Sequence, residues 1–268
     1  MPLHVTTVLL CLKLLITYSS LTLLKKFFVH QTINPLSVST RSSGKRRLIL
    51  DLRHVNAFVY KQKFKCEDLS VATQIFDKEY YLFKFNLKSG FHHIEIFPEH
   101  RKYLAFAWDF GTGKFRYFQF CVLPFVLSSA PFIFTQILKP LQKSWRSRGI
   151  PIAIFLDDGL GGGIDKVSAK IHRLAVHSDL LKFGFVPNQE NSVWEPVQVI
   201  TWLGVVFNTI DGSVQATDER IAKLTSNLGH YRHCVSNSVF ARFTLKVLPM
   251  LGSRLFHFAL AWGQLLVL

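Results

Sequence analysis

The sequence predicts an α+β fold in which an antiparallel sheet packs on helices. Strand-like and helix-like segments are mixed along the chain, without the regular strand–helix–strand alternation of a parallel sheet. Two short turns that contain glycine each join a pair of strand-like runs, which is typical of β-hairpins. Two longer segments have the apolar spacing of amphipathic helices and end at a glycine. The 268 residues suffice for one large domain or two small ones.

Strands are predicted where short runs of aromatic and β-branched residues lie between turn residues. The first is half-buried, because Leu48, Leu50 and Leu52 alternate with charged residues. The second ends at Asn86. The predicted strands cover 47–53, 80–85, 103–108, 115–120, 151–156 and 199–207, and the last turns at 211–212 into a further short strand.

Helices are predicted in the second half of the chain. The first has a serine at 128 or 129 as its N-cap and Gly149 beyond its end. Its predicted apolar stripe consists of Phe134, Ile137, Leu138, Leu141 and Trp145. A second helix covers 166–183, and a third begins at Thr217.

The chain carries a large excess of basic residues. Lys and Arg number 32 against 17 Asp and Glu, a formal net charge of +15 at pH 7. This excess favours a polyanionic partner such as nucleic acid, although a basic surface that binds nothing has the same composition. The four cysteines, Cys11, Cys66, Cys121 and Cys234, match no zinc-site spacing and no compact disulfide framework. Their usage predicts an intracellular location, in the cytoplasm or the nucleus.

The N-terminal residues differ from the rest of the chain. Residues 5–24 are mostly Leu, Val, Ile and Thr, and this length would just span a bilayer. Lys13 lies in the middle of the segment, and no basic stretch or cleavage site of a signal peptide accompanies it. We therefore expect residues 1–33 to be an apolar leader or a helix packed on the domain, in preference to a membrane span.

Asp157 and Asp158 are the residues with the clearest chemistry. They follow the apolar run 151–156 and precede Gly159, which predicts a β-hairpin with two carboxylates at its tip. Unpaired acids at a strand end are costly unless they hold a cation, and polymerases hold two Mg²⁺ ions with such groups. The alternative is a polar hairpin turn, since Asp-Asp-Gly is common in turns.

Five segments resemble the motifs of reverse transcriptases, in order and in spacing. The chain is most similar to those of retrotransposons that encode a tyrosine recombinase, the DIRS type, and next to those of Ty3-like elements. The segments are KRRLILDLRHVN at 45–56, FNLKSGFHHI at 85–94, LPFVLSSAP at 123–131, FLDD at 155–158 and WLG at 202–204.

This resemblance implies the fingers and palm of a right-hand polymerase over residues 34–225. Residues 226–268 are predicted to be a C-terminal helical tail, with a truncated thumb or connection as its counterpart in the family. It implies RNA-directed DNA polymerisation by two-metal nucleotidyl transfer, with Mg²⁺ or Mn²⁺ as the cofactor. The implied partners are an RNA or DNA template with its primer, and deoxynucleoside triphosphates.

The resemblance also implies roles for individual residues. Asp157 and Asp158 would be the catalytic metal ligands, and Trp202, Leu203 and Gly204 would be the primer grip. Six residues occupy the positions of the nucleotide site, namely Lys45, Arg47, Arg53, Phe91, Phe125 and Val126.

Some of these residues also have a purely structural interpretation. The basic residues fit a solvated strand face, and Phe91 fits a core position equally well. Asp51 is expected to orient an arginine, and His92 and His93 are expected to be structural because they lack a zinc-site partner.

Three positions depart from the family pattern where the chemistry takes place. Asn86 stands where the family has its principal metal-binding aspartate, and a neutral amide offers no anion to two Mg²⁺ ions. Val126 replaces a glycine that lets backbone approach nucleotide and template, and a β-branched side chain would crowd the site and disfavour a positive φ. Asn191 replaces a lysine that is the candidate general acid for the pyrophosphate leaving group.

The sequence therefore predicts a reverse transcriptase domain of a retroelement whose catalysis is impaired and whose Mg²⁺ or Mn²⁺ is weakly bound. Two alternatives stay open. One is a non-catalytic nucleic-acid-binding remnant, and the other is a decayed product without a selected function. Binding to a primer–template duplex separates these two alternatives.

Overall fold

The computed structural model describes residues 24–26, 32–40, 44 and 46–222. Three predictions fall on residues that the structure does not describe. They are the possible membrane span over residues 5–24 (apart from Leu24), the role of Lys45 and the C-terminal region 226–268. No helix within the described part of the chain is long and apolar enough to cross a membrane. In chain order the elements are β1 (Leu24–Lys26), β2 (Leu36–Thr40), β3 (Arg46–Leu50), α1 (Arg53–Phe58), α2 (Leu69–Ile75), β4 (Tyr81–Asn86), 3₁₀ helices at Gly90–His93 and Pro98–Leu104, β5 (Ala105–Asp109), β6 (Phe115–Phe120), α3 (Ala130–Ser147), β7 (Ile152–Phe155), β8 (Asp158–Gly163), α4 (Lys166–Lys182), β9 (Val193–Val197), β10 (Val199–Trp202), β11 (Val205–Asn208) and β12 (Ser213–Ala216).

The chain divides into two compact units. The described residues of the first unit lie within 1–65, 87–140 and 181–186, and those of the second lie within 66–86, 141–180 and 187–268. In the first unit, β2 pairs with β3 and a second sheet has the order β1-β6-β5. In the second unit, one sheet has the order β7-β8-β4-β9 and the other the order β10-β11-β12. All of these pairings are antiparallel, as the sequence predicts.

The first strand is shorter than predicted. Leu48, Leu50 and Leu52 are buried as their alternation predicts, each with at most 3% of its surface exposed. However, β3 ends at Leu50, and α1 begins at Arg53. The Asp51 carboxylate accepts the backbone N–H of Arg53 at 3.1 Å, and such a local bond turns the chain out of the extended conformation.

The predicted strand over 199–207 is two strands. Leu203 and Gly204 form a two-residue turn between β10 and β11, with φ of +49° and +71°. Two positive φ values are typical of a type I′ hairpin turn. The prediction was wrong here because the apolar run continues through the turn, and Leu203 gives no turn signal.

Both long helices are close to their predictions. α3 buries Phe134, Leu138, Leu141 and Trp145, but Ile137 was predicted wrongly, because 42% of its surface is exposed. α4 ends before Gly184, which has a φ of +81°. At its start, Asp165 Oδ1 accepts the N–H groups of Val167 and Ser168, both at 2.8 Å, and thereby caps the helix.

The glycines of β8 make room for the aromatic side chains of β4. A Cβ atom on Gly159 would lie 2.2 Å from the Phe85 ring, and one on Gly161 would lie 2.4 Å from the Phe83 ring. These two rings stack on Trp194 of β9 at centroid distances of 6.0 and 6.2 Å. The run of glycines after the paired aspartates therefore allows two phenylalanines to lie across the central strands.

Candidate active site

Asn86, Asp157 and Asp158 lie together at one edge of the four-stranded sheet. Asn86 is the last residue of β4 and pairs in register with Asp158, the first residue of β8. Its side-chain Nδ2 donates to Asp158 Oδ1 at 2.7 Å, and a longer bond of 3.5 Å reaches Asp157 Oδ2. The structure thus brings these three side chains together at one end of an antiparallel sheet.

The hairpin tip that carries the carboxylates is a tight turn. Phe155 pairs with Asp158, so only Leu156 and Asp157 form the loop. Leu156 has a φ of +52°. Left-handed backbone costs a residue with a Cβ atom roughly 1–2 kcal/mol, and the pairing of β7 with β8 must offset this cost. The strain is therefore stored directly beside the paired carboxylates.

Burial and neighbouring charges act on Asp158 in opposite directions. Burial is the main effect and raises the pKa of Asp158 above the usual aspartate value, and the charge of Asp157 adds to the increase. The Asn86 hydrogen bond and the charge of Lys84 partly compensate by lowering it. Lys84 lies two residues before Asn86 on β4, so the two side chains share a face of the sheet.

The backbone of Asn86 is held by the segment after α4. Its N–H donates to Ser192 Oγ at 3.1 Å, and its carbonyl accepts the N–H of Asn188 at 2.7 Å. The N–H of Ser192 in turn donates to the Asn188 carbonyl at 3.0 Å. Asn191, the predicted general-acid position, is exposed and directly precedes this serine. The segment therefore fixes the end of β4 and carries Asn191 beside it.

The residues present do not fit a site for two divalent cations. No group of three or more His, Cys, Asp and Glu side chains that could hold a metal ion occurs among the described residues. Ionised Asp157 and Asp158 can only accept hydrogen bonds, so Asn86 turns its NH₂ group toward them. Mg²⁺ takes oxygen ligands, and an NH₂ group pointed at the carboxylates is a donor in the place of a ligand.

The predicted primer-grip residues form the tip of the β10–β11 hairpin in the second unit. Trp202 is buried, and the carbonyls of the turn are bonded to residues that follow β12. Arg220 Nη1 donates to the Leu203 carbonyl at 2.7 Å, and the Thr217 N–H donates to the Gly204 carbonyl at 3.2 Å. Lys84 Nζ donates to the carbonyl of Thr201, at 2.7 Å. Lys84 therefore joins the strand of Asn86 to this hairpin.

In the first unit, Arg47 and Phe125, two of the residues predicted for the nucleotide site, lie close together. The Arg47 guanidinium carbon lies 5.9 Å from the centre of the Phe125 ring, within the range of a cation–π contact. Phe125 remains 37% exposed. Arg53, in contrast, is held by Asp51 through a 2.6 Å bond between Nη2 and Oδ2, which confirms the expectation that Asp51 orients an arginine.

Val126 does not have the strained backbone that was expected. It is not among the described residues with a positive φ, so its β-branched side chain meets no backbone penalty. Its side chain packs on the core of the first unit. The Asn56 side chain bonds to the turn that contains Val126 at two points. Its Nδ2 donates to the Val126 carbonyl at 3.0 Å, and its Oδ1 accepts the N–H of Ser128 at 2.8 Å. The size of the Val126 side chain is therefore the one remaining reason to expect it to crowd the nucleotide site.

Phe91 and His93 both make contacts within the first unit. The Phe91 ring lies 4.9 Å from that of Phe134 and packs on the core of the first unit. His93 Nε2 accepts the N–H of Val186 at 3.3 Å, so its Nδ1 carries the proton and donates to the Gly90 carbonyl at 3.0 Å. Burial lowers the pKa of His92, and the charges of His93 and Arg47 add to the effect.

The basic residues of α3 differ in their contacts. Lys139 and Lys143 are exposed. Arg146 donates to Glu67 Oε2 at 2.8 Å and to the Ile152 carbonyl at 2.7 Å. Glu67 also accepts the backbone N–H of Ile154 at 3.1 Å. The Arg146 guanidinium therefore supplies hydrogen bonds to a half-buried carboxylate and to a backbone carbonyl of the second unit.

Sequence reasoning missed three residues that hold the predicted site residues in place. Lys84 and Ser192 contact the strand of Asn86, and Asn56 holds the turn of Val126. Asn56 and Lys84 each lie in or beside a recognised motif, which was the available signal. Nothing in the sequence indicates that Ser192 bonds to a residue more than a hundred positions earlier, since only the antiparallel sheet brings them together.

A family model described as reverse transcriptase (RNA-dependent DNA polymerase) matches residues 38–207. Among curated proteins, the putative enzymatic polyprotein of Cassava vein mosaic virus is 31% identical over 122 residues, which are 45% of this chain and 17% of the polyprotein. The genome polyprotein of Petunia vein clearing virus (isolate Shepherd) is 29% identical over 120 residues, 45% of this chain and 5% of the polyprotein. The chain thus matches only a small part of the length of these relatives.

Solved structures of foamy viral protease-reverse transcriptase are also similar. The structure in complex with dsDNA has a TM-score of 0.70 at 18% identity, covering 98% of this chain and 53% of that chain. The structure in complex with an RNA/DNA hybrid has a TM-score of 0.70 at 19% identity, covering 87% of this chain and 32% of that chain. These likenesses confirm the predicted polymerase fold with fingers and palm.

The family assignment rests on agreement between motif order, site geometry and similarity. The five motifs occur in order, and the structure brings the residues of two of them, Asn86 and Asp157–Asp158, onto neighbouring strands. The family model covers more than half of the chain. This chain belongs to the reverse transcriptase family and is a reverse transcriptase domain of a retroelement.

Proposed function

We propose that the chain is the fingers and palm of a reverse transcriptase that still binds nucleic acid and copies RNA into DNA poorly or not at all. The observation that carries this proposal is the hydrogen bond from Asn86 Nδ2 to Asp158 Oδ1, at 2.7 Å. It puts an amide donor where the family's reaction needs a carboxylate. We assign fingers and palm to 34–225 and a thumb or connection segment to 226–268, with 1–33 as a separate apolar segment.

The chemistry of the family explains why the loss of one carboxylate matters. Nucleotidyl transfer joins the primer 3′-oxygen to an incoming nucleotide and releases pyrophosphate, with divalent cations clamping the attacking and leaving oxygens. Here Asp157 and Asp158 alone would bind Mg²⁺ or Mn²⁺ weakly. Removing one oxyanion-hole donor, another preorganised electrostatic contact, costs about 3–4 kcal/mol in other enzymes, and each ~1.4 kcal/mol is tenfold in rate.

Two further substitutions would lower activity independently. The Val126 side chain occupies a position where the family's glycine leaves room for the nucleotide. Asn191 cannot donate a proton to the leaving pyrophosphate as a lysine can. Deoxynucleoside triphosphates would be held by Arg47, with Lys45 and Arg53 contributing charge, because cations offset the triphosphate.

We propose nucleic acid binding because the chain is strongly basic and because proteins of the same fold have been solved with nucleic acid. The net charge is +15, and Lys139 and Lys143 are exposed. Such cations bind phosphates whatever the state of the catalytic residues. Relatives of the same fold have been solved with dsDNA and with an RNA/DNA hybrid. The DIRS-type lineage and an intracellular location, in the cytoplasm or the nucleus, are parts of the same proposal.

A non-catalytic binding remnant is the second candidate, and the amide in the place of a carboxylate favours it. Primer extension and filter binding on the same purified protein test both candidates. We expect a labelled primer on an RNA template to be bound at low salt and not to be extended processively with Mg²⁺ and deoxynucleotides. Efficient extension would contradict the impairment. The absence of binding at low salt would favour a decayed product without a selected function.

A further inference from the structure

The Asn86 amide lies where it can donate hydrogen bonds to the carboxylates of both Asp157 and Asp158. Its Nδ2 lies 2.7 Å from Asp158 Oδ1 and 3.5 Å from Asp157 Oδ2. An NH₂ group has two N–H donors, so one amide serves both carboxylates. Two acids on adjacent residues therefore share a hydrogen-bond donor within the chain.

The backbone leaves Asn86 little freedom to withdraw from this position. Its N–H is bonded to Ser192 Oγ, its carbonyl accepts the N–H of Asn188, and its Cα is in register with Asp158. To offer Oδ1 to a cation, the side chain would have to rotate its amide and turn the NH₂ group away from both carboxylates. That rotation would exchange two hydrogen bonds to acids for a single neutral ligand.

A positive charge already lies on the same face of β4. Lys84 Nζ donates to the Thr201 carbonyl at 2.7 Å, which anchors the ammonium group within the second unit. The carboxylates thus have a hydrogen-bond donor and a cation of the chain's own in their surroundings. Both interactions offset part of the negative charge of the pair without a metal ion.

We propose that the Asn86 amide replaces the divalent cation at Asp157 and Asp158, so that this site is closed by hydrogen bonds and the fold has no need of metal. The inference rests on the proposed function in one respect, because it takes Asp157 and Asp158 to be the former metal site. The chain is stable without Mg²⁺ or Mn²⁺, and the dependence of stability on metal returns when Asn86 becomes an aspartate. Three carboxylates then face one another and need a cation to offset their repulsion.

Thermal unfolding of the full chain and of Asn86→Asp tests this inference without nucleic acid or nucleotide. We expect the melting temperature of the unmodified chain to change by less than about 1 °C between chelator and about 10 mM MgCl₂ or 1 mM MnCl₂. The melting temperature of Asn86→Asp should be lower in chelator and should rise by at least about 4 °C with metal, since a ligand that binds only the folded state stabilises it.

Asn208→Asp is the matched control. Asn208 ends β11 in the other sheet of the second unit, and its Oδ1 accepts the N–H of Ile210 at 3.1 Å, a bond that aspartate can also accept. It adds the same charge without facing the paired aspartates. Its melting temperature should not depend on metal, so a metal response in both variants would overturn the inference.

Two results overturn the inference directly. One is a metal response of the unmodified chain as large as that of Asn86→Asp. The other is binding of Mn²⁺ by the unmodified chain at micromolar concentration, followed through the paramagnetic resonance of free Mn²⁺, which remains measurable if Asn86→Asp does not fold. Neither readout involves polymerisation, so a failure here is distinct from a failure of the proposed function.

Discussion

Asn86, Val126 and Asn191 depart from the family pattern, and the structure accommodates each of them differently. Asn86 donates a hydrogen bond to Asp158, one of the two aspartates that the proposed function takes as a former metal site. Val126 has an ordinary φ and packs on a core. Asn191 is exposed and could be changed without disturbing a packed surface. The three positions can therefore be tested separately, one residue at a time.

We expect the rate of primer extension to increase stepwise as the three residues are changed to those of the family. Asn86→Asp alone should recover little, because Val126 still crowds the nucleotide site. Asn86→Asp with Val126→Gly should recover measurably more, and adding Asn191→Lys should then mainly raise kcat, because a proton donor acts on the leaving group. Rates on an RNA template with Mg²⁺ would measure this. If the unmodified chain were within tenfold of the triple variant, a difference of about 1.4 kcal/mol, the assignment of impairment would be wrong.

Asp158 should destabilise the fold at neutral pH. Burial raises its folded-state pKa, so its favourable contribution is present below the unfolded value of about 4 and is lost as pH rises through the folded-state pKa. Asp158→Asn should therefore raise the melting temperature at pH 7, and the gain should vanish at low pH. Thermal unfolding from pH 3 to pH 8 would measure it.

Asp165→Asn is the control with the opposite sign. Bonds from Ser168, with Val167 contributing, lower the pKa of Asp165 at the start of α4, so its charged form stabilises the fold above the unfolded value. This variant should lose stability at pH 7, and the loss should fade as pH decreases. Equal effects of the two variants at pH 7 would contradict the environment assigned to Asp158.

At the scale of elements, the pairing of β8 with β4 requires glycines in β8, because side chains there would collide with the phenylalanine rings of β4. Gly161 would bring a Cβ atom to 2.4 Å from the Phe83 ring. Phe83 is fully buried, and its ring also stacks on Trp194, so it has no open space into which to move. The pairing of β4 with β8, which sets Asn86 opposite Asp158, thus depends on these glycines as much as on the aspartates.

We expect Gly161→Ala to destabilise the second unit by about 1–3 kcal/mol, the usual cost of overpacking. Phe83→Leu removes the far end of the ring that the new methyl group would strike. The double variant should therefore lose less stability than the sum of the single variants, by roughly 1 kcal/mol in a double-mutant cycle. Urea unfolding would measure the cycle, and strict additivity would show that the close approach is not what requires glycine.

At the scale of the whole molecule, the excess of positive charge should dominate binding. Each phosphate neutralised by the chain releases counterions, so the logarithm of affinity should fall linearly with the logarithm of salt concentration. Arg47→Ala should weaken binding to a primer–template duplex and reduce the salt slope by about one. Filter binding between about 50 and 200 mM salt would measure both quantities.

Lys166→Ala is the control for this prediction. Lys166 Nζ lies 3.6 Å from Glu195 Oε1, so its charge already has a partner in the chain. The slope should change less in this variant than in Arg47→Ala. An affinity that is flat from low to physiological salt would contradict the assignment of nucleic acid as the partner.

Local pattern was enough to predict much of the architecture. The alternation of leucines, the Asp-Asp-Gly hairpin, the glycine after α4 and the antiparallel class all depend on neighbours within a few residues, and all were confirmed. Motif order predicted the polymerase fold and the edge where Asn86 meets the aspartates. Boundaries failed where a local bond interrupted a pattern, as at Asp51, or where an apolar residue occupied a turn, as at Leu203.

Only the tertiary structure decided what each side chain does with its charge and hydrogen bonds. Arg146 was indistinguishable from a phosphate-binding residue in the sequence, yet it is bonded to Glu67. The motif predicted that Asn86 replaces a metal-binding aspartate, whereas its hydrogen bond to Asp158 depends on the register of two strands that are distant in the sequence. Hydrogen bonds need partners within about 3 Å, and residues far apart in the sequence reach that distance only when the sheet has formed.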